Sequence, residues 1–285
     1  MRFEKWQALG NDYIVLEADE APFELTPRRV AAICAPHFGC HSDGVLLLSR
    51  SEDPAYVARL RIFNPDGSEA ELSGNGVREA VLYLRRSGWT DLDTFSIQTA
   101  AGEITPTLTG PGSARVAMGR ASTISKDFPG GPDDGRGTID VDGAQREFQH
   151  VSIGNPQCAI EIPHGLEDLD LLAVGPPVES GAEGRFPNRT NVSFWRVADR
   201  AERRVRARIY ERGVGETLSS GTGASGAAIA AFLRGLPGPI TVELDGGELE
   251  VEISPELDVM LTGTAEPVFS GEFSPELVAR LERLS

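Results

Sequence analysis

Arg59-Leu60-Arg61-Ile62-Phe63-Asn64-Pro65-Asp66-Gly67-Ser68-Glu69-Ala70-Glu71-Leu72-Ser73-Gly74-Asn75-Gly76 has a second copy further along the chain. That copy is Arg206-Ala207-Arg208-Ile209-Tyr210-Glu211-Arg212-Gly213-Val214-Gly215-Glu216-Thr217-Leu218-Ser219-Ser220-Gly221-Thr222-Gly223. The two align without a gap at an offset of 147 residues, the spacing from Ser73 to Ser220. This is about half of the 285 residues, so the chain reads as one unit built twice.

Each copy carries the same local logic. An alternating strand, with Leu60 and Ile62 on one side and Arg59, Arg61 and Phe63 on the other, runs into a Gly/Ser/Asp turn. Ser-Gly-x-Gly follows and leads into a helix, read as Val77–Arg86 in the first copy and Ala224–Arg234 in the second. The second helix is apolar almost all round and is expected to be buried. A helix start leaves backbone N–H groups free and carries partial positive charge, which suits an anion. One such loop reads as an ordinary serine-capped helix; two at matched positions point to a shared site.

Outward from this pair, further features repeat. Gly10-Asn11-Asp12 interrupts the strand pattern from Phe3 to Leu16, which suggests a bulge or a close backbone approach. Gly154-Asn155-Pro156 interrupts Val151–Ile160, so Asn11 and Asn155 form a second repeated pair. Asp43, before the strand Val45–Leu48, and Asn191, before Val192–Trp195, fall in similar places. Cys40 lies beside the first of these turns and is not read as a working thiol. Thr26-Pro27 predicts a capped helix through Cys34, and Ser274-Pro275 a capped amphipathic helix at the end. Phe95–Leu108 reads as two strands around Ala101-Gly102. Gly110-Pro111-Gly112 lies near the boundary between halves, and 128–135 reads as a surface loop. Hairpin-joined strands with one central helix per half imply an α+β fold.

Composition narrows the function. Hydrophobic residues at 40% and charged residues at 25% are ordinary for a globular chain. A net charge of −16 argues against nucleic acid and against anionic membrane surfaces as partners. The opening Met1–Gln7 lacks a signal-peptide core and no apolar run approaches a membrane span, so a cytoplasmic location is expected. Three cysteines and four dispersed histidines show no metal spacing, and neither metal nor cofactor is expected. Were the halves to pack symmetrically, Ser73 and Ser220 would face each other across one cleft. Matched groups on opposite sides of a carbon suit racemisation or epimerisation, one removing a proton and the other returning one, with the helix starts stabilising the charge that builds on a substrate carboxylate.

The sequence resembles diaminopimelate epimerase over nearly its whole length. The resemblance is carried by Gly10-Asn11-Asp12-Tyr13, Phe63-Asn64-Pro65-Asp66-Gly67-Ser68-Glu69, Gly74-Asn75-Gly76-x-Arg78, Thr99-Ala100-Ala101-Gly102, Gly154-Asn155-Pro156, Asn191-Val192, Glu211–Thr217 and Gly221-Thr222-Gly223. It implies two pseudo-symmetric domains, each a barrel-like β-sheet around a central helix, with the C-terminal helix returning to the first. The boundaries expected are 1–117 with 265–285, and 118–264. It implies interconversion of LL- and meso-diaminopimelate by two-base proton transfer, without a cofactor, in the lysine and peptidoglycan precursor pathway, and a possible homodimer. By position it assigns Ser73 and Ser220 to catalysis. It gives Gly74, Asn75, Gly221 and Thr222 to the reacting carboxylate through their N–H groups. Asn11, Asn64, Asn155, Asn191 and Arg212, with Glu211, take the substrate's remaining amino and carboxylate groups, the guanidinium fork suiting a carboxylate.

The chain departs from the family at the chemistry. The family has cysteine at Ser73 and Ser220, histidine at Gln157 and cysteine at Glu79. A thiol titrates near 8.5 and a water-like hydroxyl near 15.7, a gap of roughly 7 units or about 10 kcal/mol against forming the base. Neither serine has a histidine beside it in the sequence to act as its base. Three explanations stay open: an introduced Cys→Ser pair, which Gln157 and Glu79 count against; an epimerase running on hydroxyls or on another acid–base group such as Glu211; and a divergent relative that binds an amino-dicarboxylate but is catalytically silent or a one-base isomerase using Glu211 or Glu216.

Overall fold

The computed structural model describes residues 1–182 and 184–284. The first unit, Met1–Val116 with Gly263–Ser285, contains most of the early elements. In order these are β1 (Arg2–Ala8), β2 (Asn11–Glu17), α1 (Pro27–Cys34), β3 (Val45–Ser49), β4 (Ala58–Phe63), β5 (Glu69–Ala70), α2 (Gly74–Arg86), β6 (Ile97–Thr99), β7 (Gly102–Ile104), β8 (Thr107–Gly110) and β9 (Ser113–Arg120). The second unit, Ala117–Thr262, continues with β10 (Arg136–Val141), β11 (Ala144–Ser152), β12 (Pro156–Glu161), α3 (Leu171–Glu179), β13 (Asn191–Asp199), β14 (Arg204–Glu211), β15 (Gly215–Thr217), α4 (Gly221–Leu233), β16 (Ile240–Leu244), β17 (Gly247–Ile253) and β18 (Asp258–Thr264). β19 (Glu266–Glu272) and α5 (Pro275–Glu282) then return to the first unit.

The duplication is written in strand order and register. The first sheet runs β19-β1-β2-β3-β4-β6-β7 with β5 on β4. The second begins β10-β11-β12-β13-β14-β16-β17 with β15 on β14, and goes on through β18 and β9 to β8. Parallel pairs fall in matching places, β2 with β3 and β4 with β6 against β12 with β13 and β14 with β16. Val45 pairs with Phe63 as Val192 pairs with Tyr210, and Phe63 with Glu69 as Tyr210 with Glu216. The architecture is α+β, as expected.

Each sheet is covered on both faces. In the first unit Leu60 and Ile62 pack toward α2, with Val77, Val81 and Leu84, while Phe63 points to the opposite face beneath α1 and α5. Strands β1 to β4 and β6 of this sheet supply residues to the cluster around α2, so the sheet curls about that helix, and β9 adds Ala114 and Val116. In the second unit α4 is buried nearly all round, and Val192 and Phe194 face α3 instead. Alanine and glycine dominate α4 because strands approach it from all sides: a Cβ on Gly223 would lie 2.9 Å from Ile209 Cγ2.

Several local expectations shift. Leu9 and Gly10 both take positive φ, so the break between β1 and β2 is a tight hairpin turn, not a bulge. The central helices begin three residues earlier than read, at Gly74 and Gly221, because each serine is itself the N-cap and the glycines form the first turn. Phe95–Leu108 holds the two expected strands, β6 and β7, joined through Ala101, and also the start of β8. α1, capped by Thr26, and α5, capped by Ser274, lie as the sequence predicts.

Candidate active site

Both serines sit in the same backbone setting. Ser73 has φ −137° and ψ 120°, and Ser220 φ −143° and ψ 121°. Ser73 Oγ accepts the Gly76 N–H at 3.1 Å, and Ser220 Oγ accepts the Gly223 N–H at 3.2 Å. The third residue of each helix is glycine in a tight place: a Cβ at Gly76 would lie 3.0 Å from Leu46 Cδ2, and one at Gly223 2.9 Å from Ile209 Cγ2. The N–H groups of Gly74 and Asn75, and of Gly221 and Thr222, occupy the first two helical positions and have no intrahelical acceptor.

In the first unit a polar chain runs from the helix into the sheet. The fully buried Arg78 donates through Nη2 to Asn75 Oδ1 at 2.8 Å and through Nη1 to the Gly74 carbonyl at 3.2 Å. Asn75 Nδ2 donates to Asn11 Oδ1 at 3.0 Å, and Asn11 Nδ2 to Asp43 Oδ2 at 2.8 Å. Asp43 Oδ2 also accepts the Asp12 N–H at 3.0 Å. This joins three sequence-predicted site residues, Asn11, Gly74 and Asn75, to Asp43. Tyr13 was missed: its hydroxyl donates to Ser73 Oγ at 3.4 Å. Asn64 does not join this chain; its Nδ2 donates to Ser68 Oγ at 2.9 Å, within the turn before β5.

Below Asn75 lies Glu79, fully buried, with neither carboxylate oxygen hydrogen-bonded. Burial drives its pKa well above the ordinary carboxylate range, against the pull of Arg78. Burial likewise lowers the Arg78 guanidinium to about 10.

The second unit's polar chain differs. Ser220 Oγ donates to Glu211 Oε2 at 3.0 Å. The serine therefore has a carboxylate acceptor, although no histidine serves it. Asn155 Oδ1 accepts Gln157 Nε2 at 2.6 Å, and Asn155 Nδ2 donates to Thr222 Oγ1 at 3.4 Å. Asn191 braces the segment before the serine: its Oδ1 accepts the Arg212 N–H at 2.9 Å and its Nδ2 donates to the Pro156 carbonyl at 3.0 Å. Arg212 is exposed, and its Nη1 donates to the Asn188 carbonyl at 3.0 Å. Glu216 is held by Arg208 at 2.7 Å, as Glu69 is held by Arg61; that pairing makes it a strut of the hairpin and a poor lone base. Burial pushes the Cys40 thiol up, against a thiolate role.

A family model described as diaminopimelate epimerase matches residues 3–124 and 149–268. The chain belongs to the diaminopimelate epimerase family. It is 39% identical to diaminopimelate epimerase 2 of a Nostoc species, over 98% of each chain. It is 38% identical to the diaminopimelate epimerase of Ralstonia pickettii, over 95% of each. Among solved structures it resembles a phenazine biosynthesis protein of the PhzF family from Bacillus anthracis, with a TM-score of 0.69 at 18% identity, covering 96% of this chain and 99% of that one. This last likeness speaks to the two-domain fold. As a member of the diaminopimelate epimerase family the chain is grouped with isomerases that invert a carbon centre. Among the described residues no group of three or more His, Cys, Asp or Glu is arranged to hold a metal ion, and no helix is long and apolar enough to cross a membrane.

Proposed function

We propose that this protein epimerises the α-carbon of a diaminopimelate-like amino-dicarboxylate, with Ser73 and Ser220 acting on opposite faces of the bound carbon. The observation that carries the reading is the 3.0 Å hydrogen bond from Ser220 Oγ to Glu211. A hydroxyl alone is a poor base. With a carboxylate behind it, the oxygen takes the α-proton as its own hydrogen passes to Glu211, so the charge rests on a group that ordinarily titrates near 4.3 rather than on an alkoxide. Ser73 delivers a hydrogen to the other face. The free N–H groups of Gly74, Asn75, Gly221 and Thr222 hold the reacting carboxylate and the charge that builds on it. Arg212, with Asn11, Asn64, Asn155 and Asn191, holds the distal amino and carboxylate groups. Proton transfer alone balances the reaction.

The serines themselves favour a second reading, a binding protein for the same ligand that performs no inversion. Incubation with LL- and meso-diaminopimelate in deuterium oxide separates the two. Exchange of the α-hydrogen with inversion supports the epimerase, and Glu211→Gln is then expected to lower the rate by about 10²-fold or more with ligand still bound. Binding without exchange supports the silent relative.

A further inference from the structure

The two serines share a backbone setting, but their hydroxyls are wired in opposite senses. A hydroxyl has one hydrogen and two lone pairs. Ser73 Oγ accepts two hydrogen bonds, from the Gly76 N–H at 3.1 Å and the Tyr13 hydroxyl at 3.4 Å. Both lone pairs are engaged and its own hydrogen is left to point elsewhere. Ser220 Oγ accepts one, from Gly223 at 3.2 Å, and donates its hydrogen to Glu211 at 3.0 Å. One lone pair is left to receive a proton. The first serine thus offers a hydrogen and the second offers a vacancy.

We propose that Tyr13 is the positioning residue that commits Ser73 to the donor role and refills it, so that the resting protein takes protons on the Ser220 side and gives them on the Ser73 side. The inference rests on the epimerase reading above. The placement of Tyr13 is built in. Its side chain is 6% exposed on β2, and a Cβ on Gly44 would lie 2.7 Å from Tyr13 Cε1, so glycine at 44 makes room for the ring. The duplication supplies the contrast. The offset that takes Asn11 to Asn155 takes Tyr13 to Gln157. Gln157 turns its amide N–H to Asn155 at 2.6 Å, and its Cβ lies in the space that Gly226 leaves open. The two halves have diverged at this matched position, and only the first has an ionisable O–H there.

The step balances. As the substrate carbanion takes the hydrogen of Ser73, the Cα–H bond forms and the serine O–H bond breaks. Ser73 Oγ takes the Tyr13 hydrogen, leaving a phenolate, while the proton lost from the other face rests on Glu211. Solvent restores both groups between turnovers. Phenols ordinarily titrate near 10 and water-like hydroxyls near 15.7, so the relay makes the donor stronger by about half a million-fold. A 3.4 Å contact is long for a neutral hydroxyl pair, and it shortens as negative charge develops on Ser73.

Tyr13→Phe keeps the ring and removes the donor. It is expected to slow inversion by about 100-fold with KM changed by less than about threefold, while washout of the α-hydrogen facing Ser220 continues, so the ratio of exchange to inversion rises. A merely structural role would lower both together. Replacing Tyr13 with 3-fluorotyrosine, a more acidic phenol that preserves packing, is expected to move the alkaline limb of the inversion rate to lower pH. Inversion unchanged in Tyr13→Phe, exchange and inversion falling in parallel, or an unmoved alkaline limb would each overturn the inference while leaving the epimerase reading intact. Wild-type protein that binds diaminopimelate but neither exchanges nor inverts overturns that reading and the donor role with it.

Discussion

A carboxyl group at position 79 is a costly choice. Glu79 is fully buried on α2 with no hydrogen-bond partner, beside the equally buried Arg78. Its pKa is raised by burial, so the unfolded chain ionises first as pH rises. The sign follows: the stability present below the unfolded value near 4.3 is lost as pH climbs toward the folded value, at a limiting slope of about 1.4 kcal/mol per pH unit. Glu79→Gln should remove that slope. Urea unfolding at pH 5 and pH 8 is expected to show the variant gaining on wild type at the higher pH; equal differences at the two would contradict the account. The sequence marked position 79 as a departure from the family, yet nothing in the local pattern Val77-Arg78-Glu79-Ala80 announces that both charges are buried. Charged neighbours in a helix ordinarily face water, and only a sheet curled round the whole helix takes that face away. Tyr13 escaped notice for a related reason. Inside a strand an aromatic ring reads as core, and its hydroxyl gains meaning only once Ser73 is seen beside it.

At the scale of the element, the two central helices solve one problem with different side chains. α2 keeps large residues such as Leu82, Tyr83 and Leu84, whereas alanine and glycine are the commonest residues of α4. The tight seating of α4 makes its first turn intolerant. At Gly223 a methyl group would meet Ile209 Cγ2 at 2.9 Å and Ser220 Cβ at 3.2 Å. Gly223→Ala should therefore lose on the order of 1–3 kcal/mol through overpacking, against a helix-propensity gain of about 1 kcal/mol, and denaturant midpoints measure the balance. A midpoint at or above wild type would mean that β14 yields more easily than its packing implies. Much at this scale was legible. Thr26-Pro27 and Ser274-Pro275 predict capped starts because side-chain oxygen and fixed φ act within one turn of chain. The repeat at 147 residues anticipates paired registers because two turns of one length, between strands that alternate alike, set one register. The sequence places the helix starts late because Ser-Gly-x-Gly has the composition of a loop, whereas glycine is admitted to the first turn where a neighbour crowds it.

The whole molecule is two units of unequal continuity. Ala117–Thr262 is one stretch of chain, while the other unit is assembled from Met1–Val116 and Gly263–Ser285. α5 closes the outer face of that split unit. Leu281 is fully buried there, and Arg29 Nε donates to the Leu281 carbonyl at 2.9 Å. Ending the chain after Ser274 should destabilise the first unit by about 2–5 kcal/mol, the scale of losing one large buried side chain. Trp6 and Trp89 report the first unit and Trp195 the second, so tryptophan-selective variants can follow each melting transition; an equal loss at Trp195 would contradict the assignment. The returning strand carries a further consequence. β1 pairs with β19 from Arg2 opposite Glu272 to Gln7 opposite Glu266. During synthesis on the ribosome β1 must therefore wait, that edge unpaired, until β19 has been made, after the whole second unit. The inserted half can finish folding in that interval, and the opening hairpin is where a chaperone would find the nascent chain open.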